Sequence, residues 1–237
     1  MTDAAPDLSA FPITAKWPPR DPRAIQLYSL PTPNGVKVSV ALEEMGLPYD
    51  AHLVSFQTND QMSPEFLSLN PNNKIPAIID PEGPDGRPLP LFESGAILIW
   101  LAEKTGTFLP AGAARYECLQ WLMFQMGGIG PMFGQFGFFH AFAGKEIEDT
   151  RPKARYADEA RRLLGVLDRR LQGRDWVMGG DYTIADMAIA PWLRAMRETY
   201  KGAELVGWDD LANVPAYLDR FLARPAVQRG LNQPPRP

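Results

Sequence analysis

The chain has one cysteine and two histidines among its 237 residues. That count excludes a disulfide framework, a Cys-x-x-Cys redox pair within the chain and a Cys/His structural zinc. Thiol chemistry beyond Cys118 therefore has to arrive with a ligand. Excess positive charge is also missing: 24 Lys and Arg stand against 28 Asp and Glu, a formal net charge of −4. A duplex nucleic-acid binder needs a basic face, so that class is disfavoured. No run approaches the roughly 18 apolar residues of a membrane helix. Met1 to Asp7 carry no cationic stretch followed by an apolar one, so no secretory signal is read and the expected location is the cytosol. What is present, 45% hydrophobic and 22% charged residues, suits a soluble core. The length allows one large domain or two small ones.

Residues 1–23 hold five of the 24 prolines and little periodicity; they read as an extended arm that packs on the surface or on a partner. Ile25-Gln26-Leu27-Tyr28 reads as a strand. Thr32 is placed to cap a helix with Pro33 at its first position, and Gly46 ends that helix. Tyr49 to Val54 is a second strand, so strand, helix and strand form a parallel crossover. Ser63-Pro64 starts a short helix. Lys74 to Ile79 is a third strand with a proline near its beginning. A Gly/Pro-rich loop over 80–88 leads to a fourth strand, Leu89 to Phe92. Glu93-Ser94-Gly95 then opens a helix. The segment 24–108 thus reads βαβ followed by ββα.

Residues 109–113 are a linker, 114–228 read as helices throughout, and 229–237 are a tail. Leu119, Leu122, Met123 and Met126 share one helical face. Gly127-Gly128-Ile129-Gly130-Pro131 breaks or kinks that helix. Ala160, Leu163, Leu164, Leu167 and Leu171 form an amphipathic stripe, and Val214, Tyr217, Leu218, Phe221 and Leu222 another. Thr183-Ile184-Ala185-Asp186 is a capping-box pattern with Asp in the usual Glu position.

Three places in the α/β half carry chemistry. Thr32 to Gly35 lies at the carboxyl end of the first strand, where open parallel sheets bind ligands, and a helix start favours an anion or thiolate. Thr32 is either such a ligand group or only a cap. If the Ile75-Pro76 bond is cis, the minority form, the Ile75 backbone turns outward and can pair with an extended peptide. Glu93-Ser94 at a helix start can hold an amine and a carboxylate together, or Ser94 is only a cap.

These motifs in this order, Thr32-Pro33-Asn34-Gly35, then Asn70 to Ala77 and Phe92 to Ile97, resemble a glutathione transferase. The helical half agrees at Thr183–Asp186, at Asn213-Val214-Pro215-Ala216-Tyr217 and at Arg224-Pro225-Ala226-Val227. A finer resemblance is to the bacterial nu class and the related yeast prion-forming nitrogen regulator. It is carried by the segments that begin at Pro31, Asn72, Leu91 and Gly127. The resemblance implies a thioredoxin-like N-terminal domain with a cis-proline, an all-helical C-terminal domain and a homodimer. It implies reduction of disulfides with glutathione as cosubstrate, two glutathiones or their disulfide per site, and no metal. Thr32 and Asn34 are then expected near the sulfurs. Gln61, Lys74 and Ile75 are expected along the glutathione backbone, and Glu93 and Ser94 at its γ-glutamyl end. Arg155 is expected at the second glutathione. Phe136-Gly137-Phe138-Phe139-His140 is more apolar than the Asn/His-rich segment of the class, which leaves the outer pocket open. Glutathione transfer to small electrophiles and a non-catalytic glutathione-binding regulator are the alternatives.

Other residues have plainer readings. Cys118 sits beside Leu119 and Leu122 and reads as a packed structural thiol. Tyr28 lies inside a strand, where aromatics pack. His52 and His140 have no partner at metal-ligand spacing. Phe133, Phe136, Phe138, Phe139 and Phe142 are either core or an apolar substrate wall.

Overall fold

The computed structural model describes residues 6–236. They divide into two compact units: one runs to Thr105 and resumes at Ala226, and the other spans Gly106–Pro225. The C-terminal segment, read from the sequence as a tail, thus belongs to the first unit.

In the first unit a one-turn helix, α1 (Ile13–Lys16), precedes β1 (Ile25–Ser29), α2 (Gly35–Met45) and β2 (Tyr49–Leu53). Then follow α3 (Pro64–Leu69), β3 (Ala77–Asp80), β4 (Leu89–Phe92) and α4 (Ser94–Thr105). The sheet order is β2-β1-β3-β4. β1 pairs β2 in parallel, as the crossover requires, and β3 lies antiparallel to both β1 and β4. β1 is buried along its whole length, as befits a central strand. β3 starts only after Pro76, later than the sequence pattern suggests, since proline has no N–H to give to the ladder; the Ile75–Pro76 bond that precedes it is cis.

α2 and α4 pack against each other. Asp80, at the end of β3, locks α4 in place: its carboxylate accepts from Trp100 Nε1 at 2.8 Å and from Lys104 Nζ at 3.0 Å. The C-terminal helix α10 (Pro225–Gly230) ends against α2, where Ser39 Oγ donates to the Gly230 carbonyl at 2.6 Å. A Cβ on Gly230 would stand 2.6 Å from Val40 Cα, so a side chain there would push the two helices apart.

The described part of the N-terminal arm is not a loose extension; residues 1–5 lie outside the described residues. Leu8 and Ile13 are buried in the same core cluster as Tyr28, Phe66 and Ile79, with Phe11 and Trp17 against it. Trp17 Nε1 donates to the Leu53 carbonyl at 3.0 Å. The Asp50 carboxylate accepts from the Arg20 and Asp21 amides, both at 2.7 Å. Lys16 pairs with Asp60 at 2.8 Å.

The second unit holds α5 (Gly112–Phe124), α6 (Gly130–Ala141), α7 (Arg151–Leu171), α8 (Ile184–Arg194) and α9 (Val214–Leu222). The glycine-rich break between α5 and α6 is a π turn, Gln125–Ile129. Such a turn adds a residue to the helical repeat and rotates the faces. The buried stripe is Cys118, Leu122, Gln125 and Ile129; of the face read as Leu119, Leu122, Met123 and Met126, Leu122 is buried, Leu119 and Met126 are half-buried and Met123 is exposed, because the buried line runs one residue earlier, through Cys118. The stripes of α7 and α9 form as expected, with Leu222 only half-buried.

Asp186 is the polar knot of this unit. The capping box with Thr183 is formed. Its carboxylate accepts from the Val177 amide at 2.9 Å, the Thr183 amide at 2.8 Å, Thr183 Oγ1 at 3.1 Å and Tyr217 Oη at 3.1 Å. Complete burial pushes its pKa up to about 6, although those four hydrogen bonds favour the anion. Asp186→Ala would strand two buried amides and a phenol. It should lower unfolding stability by roughly 2–5 kcal/mol. An unfolding free energy from urea denaturation within about 1 kcal/mol of the wild-type value, at unchanged slope, would contradict the knot.

Candidate functional site

After Ser29 the chain turns sharply into α2. The Thr32 amide donates to the Leu30 carbonyl at 2.7 Å, and the Thr32 carbonyl accepts from the Val36 amide at 3.0 Å. Thr32 Oγ1 accepts from the Gly35 amide at 3.2 Å, which is the bond of a helix cap. The turn is possible because residue 35 is glycine: a Cβ there would lie 1.9 Å from the Leu30 carbonyl oxygen. A hydroxyl that accepts still has one proton to give. Among the described residues Thr32 Oγ1 gives it to none. Capping and ligand binding are therefore compatible at Thr32. Asn34, half-buried, precedes the first helical residue.

Tyr28 is fully buried in the core, stacked on His52 at 4.8 Å and edge-on to Trp17 at 6.0 Å. Burial, and secondarily the charge of Asp50, push its phenol well above the ordinary tyrosine range. A phenol so costly to ionise is poorly suited to activating a thiol.

A second segment is held by Asn70, which is itself buried. Asn70 Nδ2 donates to the Lys74 carbonyl at 2.5 Å, and its Oδ1 accepts from the Asn72 amide at 2.9 Å. Asn73, at a left-handed φ of 51°, donates from Nδ2 to Met62 Sδ at 3.0 Å. That contact brings the 3-10 turn Asp60–Met62, which carries Gln61, beside this loop. Gln61 Oε1 is buried with no hydrogen-bond partner among the described residues. Lys74 is exposed. Ile75 buries its side chain in the core cluster, while its backbone lies outside the β1–β3 ladder, which ends at Tyr28–Ala77.

The third segment is the start of α4. Glu93, exposed, has a φ of 70°, a conformation rare outside glycine. Its carbonyl accepts from the Ile97 amide at 3.0 Å and so begins the helix. Ser94 follows, 4% exposed. Its Oγ accepts from Lys37 Nζ at 3.2 Å, a bond that joins the first turn of α2 to the first residue of α4. Sequence reasoning passed over Lys37. The signal was a lysine inside the apolar run Val36 to Leu42, on a face that the helix buries completely. Arg236 was also missed; it donates to the Pro31 carbonyl at 3.3 Å, next to Thr32.

Arg155 is exposed on α7 in the second unit, within the electrostatic reach of Glu159. Cys118 is fully buried, and burial raises its thiol pKa. Within the phenylalanine cluster Phe133 and Phe136 are core, whereas Phe138 and Phe142 are 41% and 50% exposed. Among the described residues no group of His, Cys, Asp and Glu could hold a metal, and no helix is long and apolar enough to cross a membrane.

Two hydroxyls, Thr32 and Ser94, thus stand at two helix starts, where peptide dipoles favour negative charge. Known proteins agree. Residues 32–104 match the glutathione S-transferase N-terminal domain, and residues 131–225 match the glutathione S-transferase C-terminal domain. The chain is 44% identical over 211 residues to the disulfide-bond oxidoreductase YfcG of Escherichia coli, covering 87% of this chain and 94% of the relative. A glutathione transferase from Burkholderia graminis, solved with two glutathione molecules per subunit, superposes with a TM-score of 0.97 at 65% identity. That match covers 100% of this chain and 99% of the other. One from Pseudomonas putida, with one glutathione disulfide per subunit, gives 0.94 at 65% identity, covering 96% and 99%. With both halves matched in order and the helix-start hydroxyls in place, the chain belongs to the glutathione transferase superfamily.

Proposed function

We propose that the protein reduces disulfide bonds with glutathione, binding two glutathiones per site. The burial of Cys118, the sole cysteine, carries this reading. A relative named for disulfide chemistry and near-identical folds holding glutathione pairs or its disulfide support it, since both reacting sulfurs then come from the ligand. The γ-glutamyl carboxylate of the first glutathione sits at the start of α4 on Ser94, with Glu93 on its amine. The Ile75 backbone pairs with its cysteinyl unit, and Gln61 and Lys74 line its length. Its sulfur faces Thr32 and Asn34. Arg155 is the proposed cation for a carboxylate of the second glutathione. The site works in a cytoplasmic homodimer.

The first glutathione thiolate attacks one sulfur of the substrate disulfide. A mixed disulfide forms and one substrate thiolate leaves, taking a proton from water. The second glutathione thiolate attacks the glutathione sulfur of that mixed disulfide, releasing the second substrate thiol and glutathione disulfide. The chain lowers the barrier by favouring the thiolate, through the Thr32 hydroxyl and the positive end of α2. Transfer of glutathione to small apolar electrophiles is the second reading, favoured by the exposed rings of Phe138 and Phe142.

Thr32→Ala removes a hydrogen bond to a charged sulfur, about 1.5–3 kcal/mol. Turnover of a model disulfide should therefore fall on the order of ten- to a hundred-fold. Thr32→Ser, which keeps both cap and hydroxyl, should stay near wild type, as should Tyr28→Phe. The reverse ranking, a large loss for Tyr28→Phe and little for Thr32→Ala, would put activation on the strand.

Cys118→Ala should retain most of the disulfide reductase activity. A folded variant without turnover would mean that a protein thiol takes part. A parallel assay with an aryl halide weighs the transfer reading.

A further inference from the structure

We propose that Asn70 is a positioning residue for glutathione: its side-chain amide holds the peptide between Lys74 and Ile75 so that the Ile75 N–H meets the cysteinyl carbonyl of the ligand. This rests on the glutathione reading above and deepens it.

Asn70 follows the last residue of α3 and is 1% exposed. Its Oδ1 accepts from the Asn72 amide at 2.9 Å, and its main-chain carbonyl accepts from the Asn73 amide at 3.1 Å. Those two bonds make the turn, and an aspartate or a serine at this position could make it as well. The side-chain nitrogen does something else. It donates at 2.5 Å to the Lys74 carbonyl, four residues on. The peptide joining Lys74 to Ile75 is trans, since the cis bonds among the described residues are Ile75–Pro76 and Gln233–Pro234. In a trans peptide the C=O and N–H point in opposite directions. A Lys74 carbonyl held towards Asn70 therefore turns the Ile75 N–H away from it.

Ile75 is buried, yet neither its N–H nor its carbonyl has a hydrogen-bond partner among the described residues. Backbone polar groups of buried residues are nearly always paired. An unpaired donor and acceptor on one buried residue mark a place where an extended peptide docks. Asn70 sets the direction of the donor before the ligand arrives, so less ordering is left to binding. Once a ligand carbonyl accepts from Ile75, the bonds run head to tail from Asn70 through the shared peptide to the ligand. Hydrogen bonds in such a chain polarise one another.

The cysteinyl carbonyl, not the whole ligand, is what Asn70 governs. The probes are glutathione and its analogue with a trans-alkene in place of the Cys–Gly amide. The analogue keeps the shape, the thiol and both end groups, and lacks that carbonyl with its N–H. Calorimetry on the full chain should give a wild-type preference for glutathione of roughly ten-fold, the size of one hydrogen bond whose donor is otherwise left unpaired. Asn70→Ser keeps an oxygen for the Asn72 amide and has no nitrogen to reach Lys74. It should lose most of that preference. A purely structural role would weaken both ligands alike and keep the preference, and that result overturns the proposal. A wild-type chain that binds both ligands equally also overturns it and leaves the glutathione reading standing. A wild-type chain that binds neither overturns that reading and this inference with it.

A second measurement needs no variant. In wild-type protein labelled with nitrogen-15 at the asparagine side chains, the Asn70 proton bonded to Lys74 should move downfield on saturation with glutathione, because the ligand carbonyl polarises the shared peptide. It should stay in place with the analogue. A resonance that responds equally to both ligands, or to neither while glutathione binds, also overturns the proposal.

Discussion

A serine or threonine hydroxyl that accepts a hydrogen bond still has its single proton to give. The first unit has two such hydroxyls at helix starts. Thr32 Oγ1 accepts from the Gly35 amide, and Ser94 Oγ accepts from Lys37 Nζ. Both hydroxyls stand at the start of a helix longer than ten residues, where peptide dipoles favour negative charge. One suits a thiolate and the other a carboxylate. The rest of the first unit keeps these two helix starts where they are. Gly35 lets α2 begin directly beneath the Leu30 carbonyl, Asp80 fixes α4 to the sheet, and Asn70 shapes the loop that leads to the cis bond before Pro76.

The second unit carries a different polar device. Asp186 gathers four donors in a fully apolar setting, and Cys118 packs nearby with Thr183 as a hydrogen-bond partner. These are stability arrangements, and burial raises the Cys118 thiol above its ordinary range. A thiol held protonated and away from water is a weak nucleophile. In the proposed function the labour is divided: the protein supplies hydroxyls and helix ends, and the ligand supplies the sulfur.

Much of this was legible in the sequence, because the relevant signals are local. Val36 to Met45 and Tyr49 to Val54 announce a helix and a strand within a dozen residues of each other, and the strand forms over Tyr49–Leu53. Thr32 and Gly46 flank the helix, although it begins at Gly35, two residues later than the proline suggests. Ser94 and the Thr183–Asp186 box were equally plain. What escaped depends on partners far along the chain. Lys37 meets Ser94 only in the folded protein. The proline-rich arm read as extended, packing on the surface or on a partner, because its anchors, Leu53, Asp50 and Asp60, lie more than 25 residues away. Composition alone could not place Leu8 and Ile13 in the core. The face of α5 was misread by about one position: Leu119 and Met123 are apolar but lie beside the buried line through Cys118, Leu122, Gln125 and Ile129, and the apolar pattern alone does not choose between the two lines. Gln61 carried no chemical signal of its own; the structure adds that its buried Oε1 lacks a partner among the described residues.

The central claim is that the α2 turn favours a ligand thiolate without help from a protein phenol or thiol. The direct test is the ultraviolet absorbance of the thiolate as pH is varied, recorded on glutathione bound to the Cys118→Ala chain. A free thiol ionises near pH 8.5, and the account predicts that bound glutathione ionises at least about one unit lower. Thr32→Ala should return it most of the way. A bound thiol that ionises at the free value, or one whose ionisation follows Tyr28→Phe instead, would contradict the account.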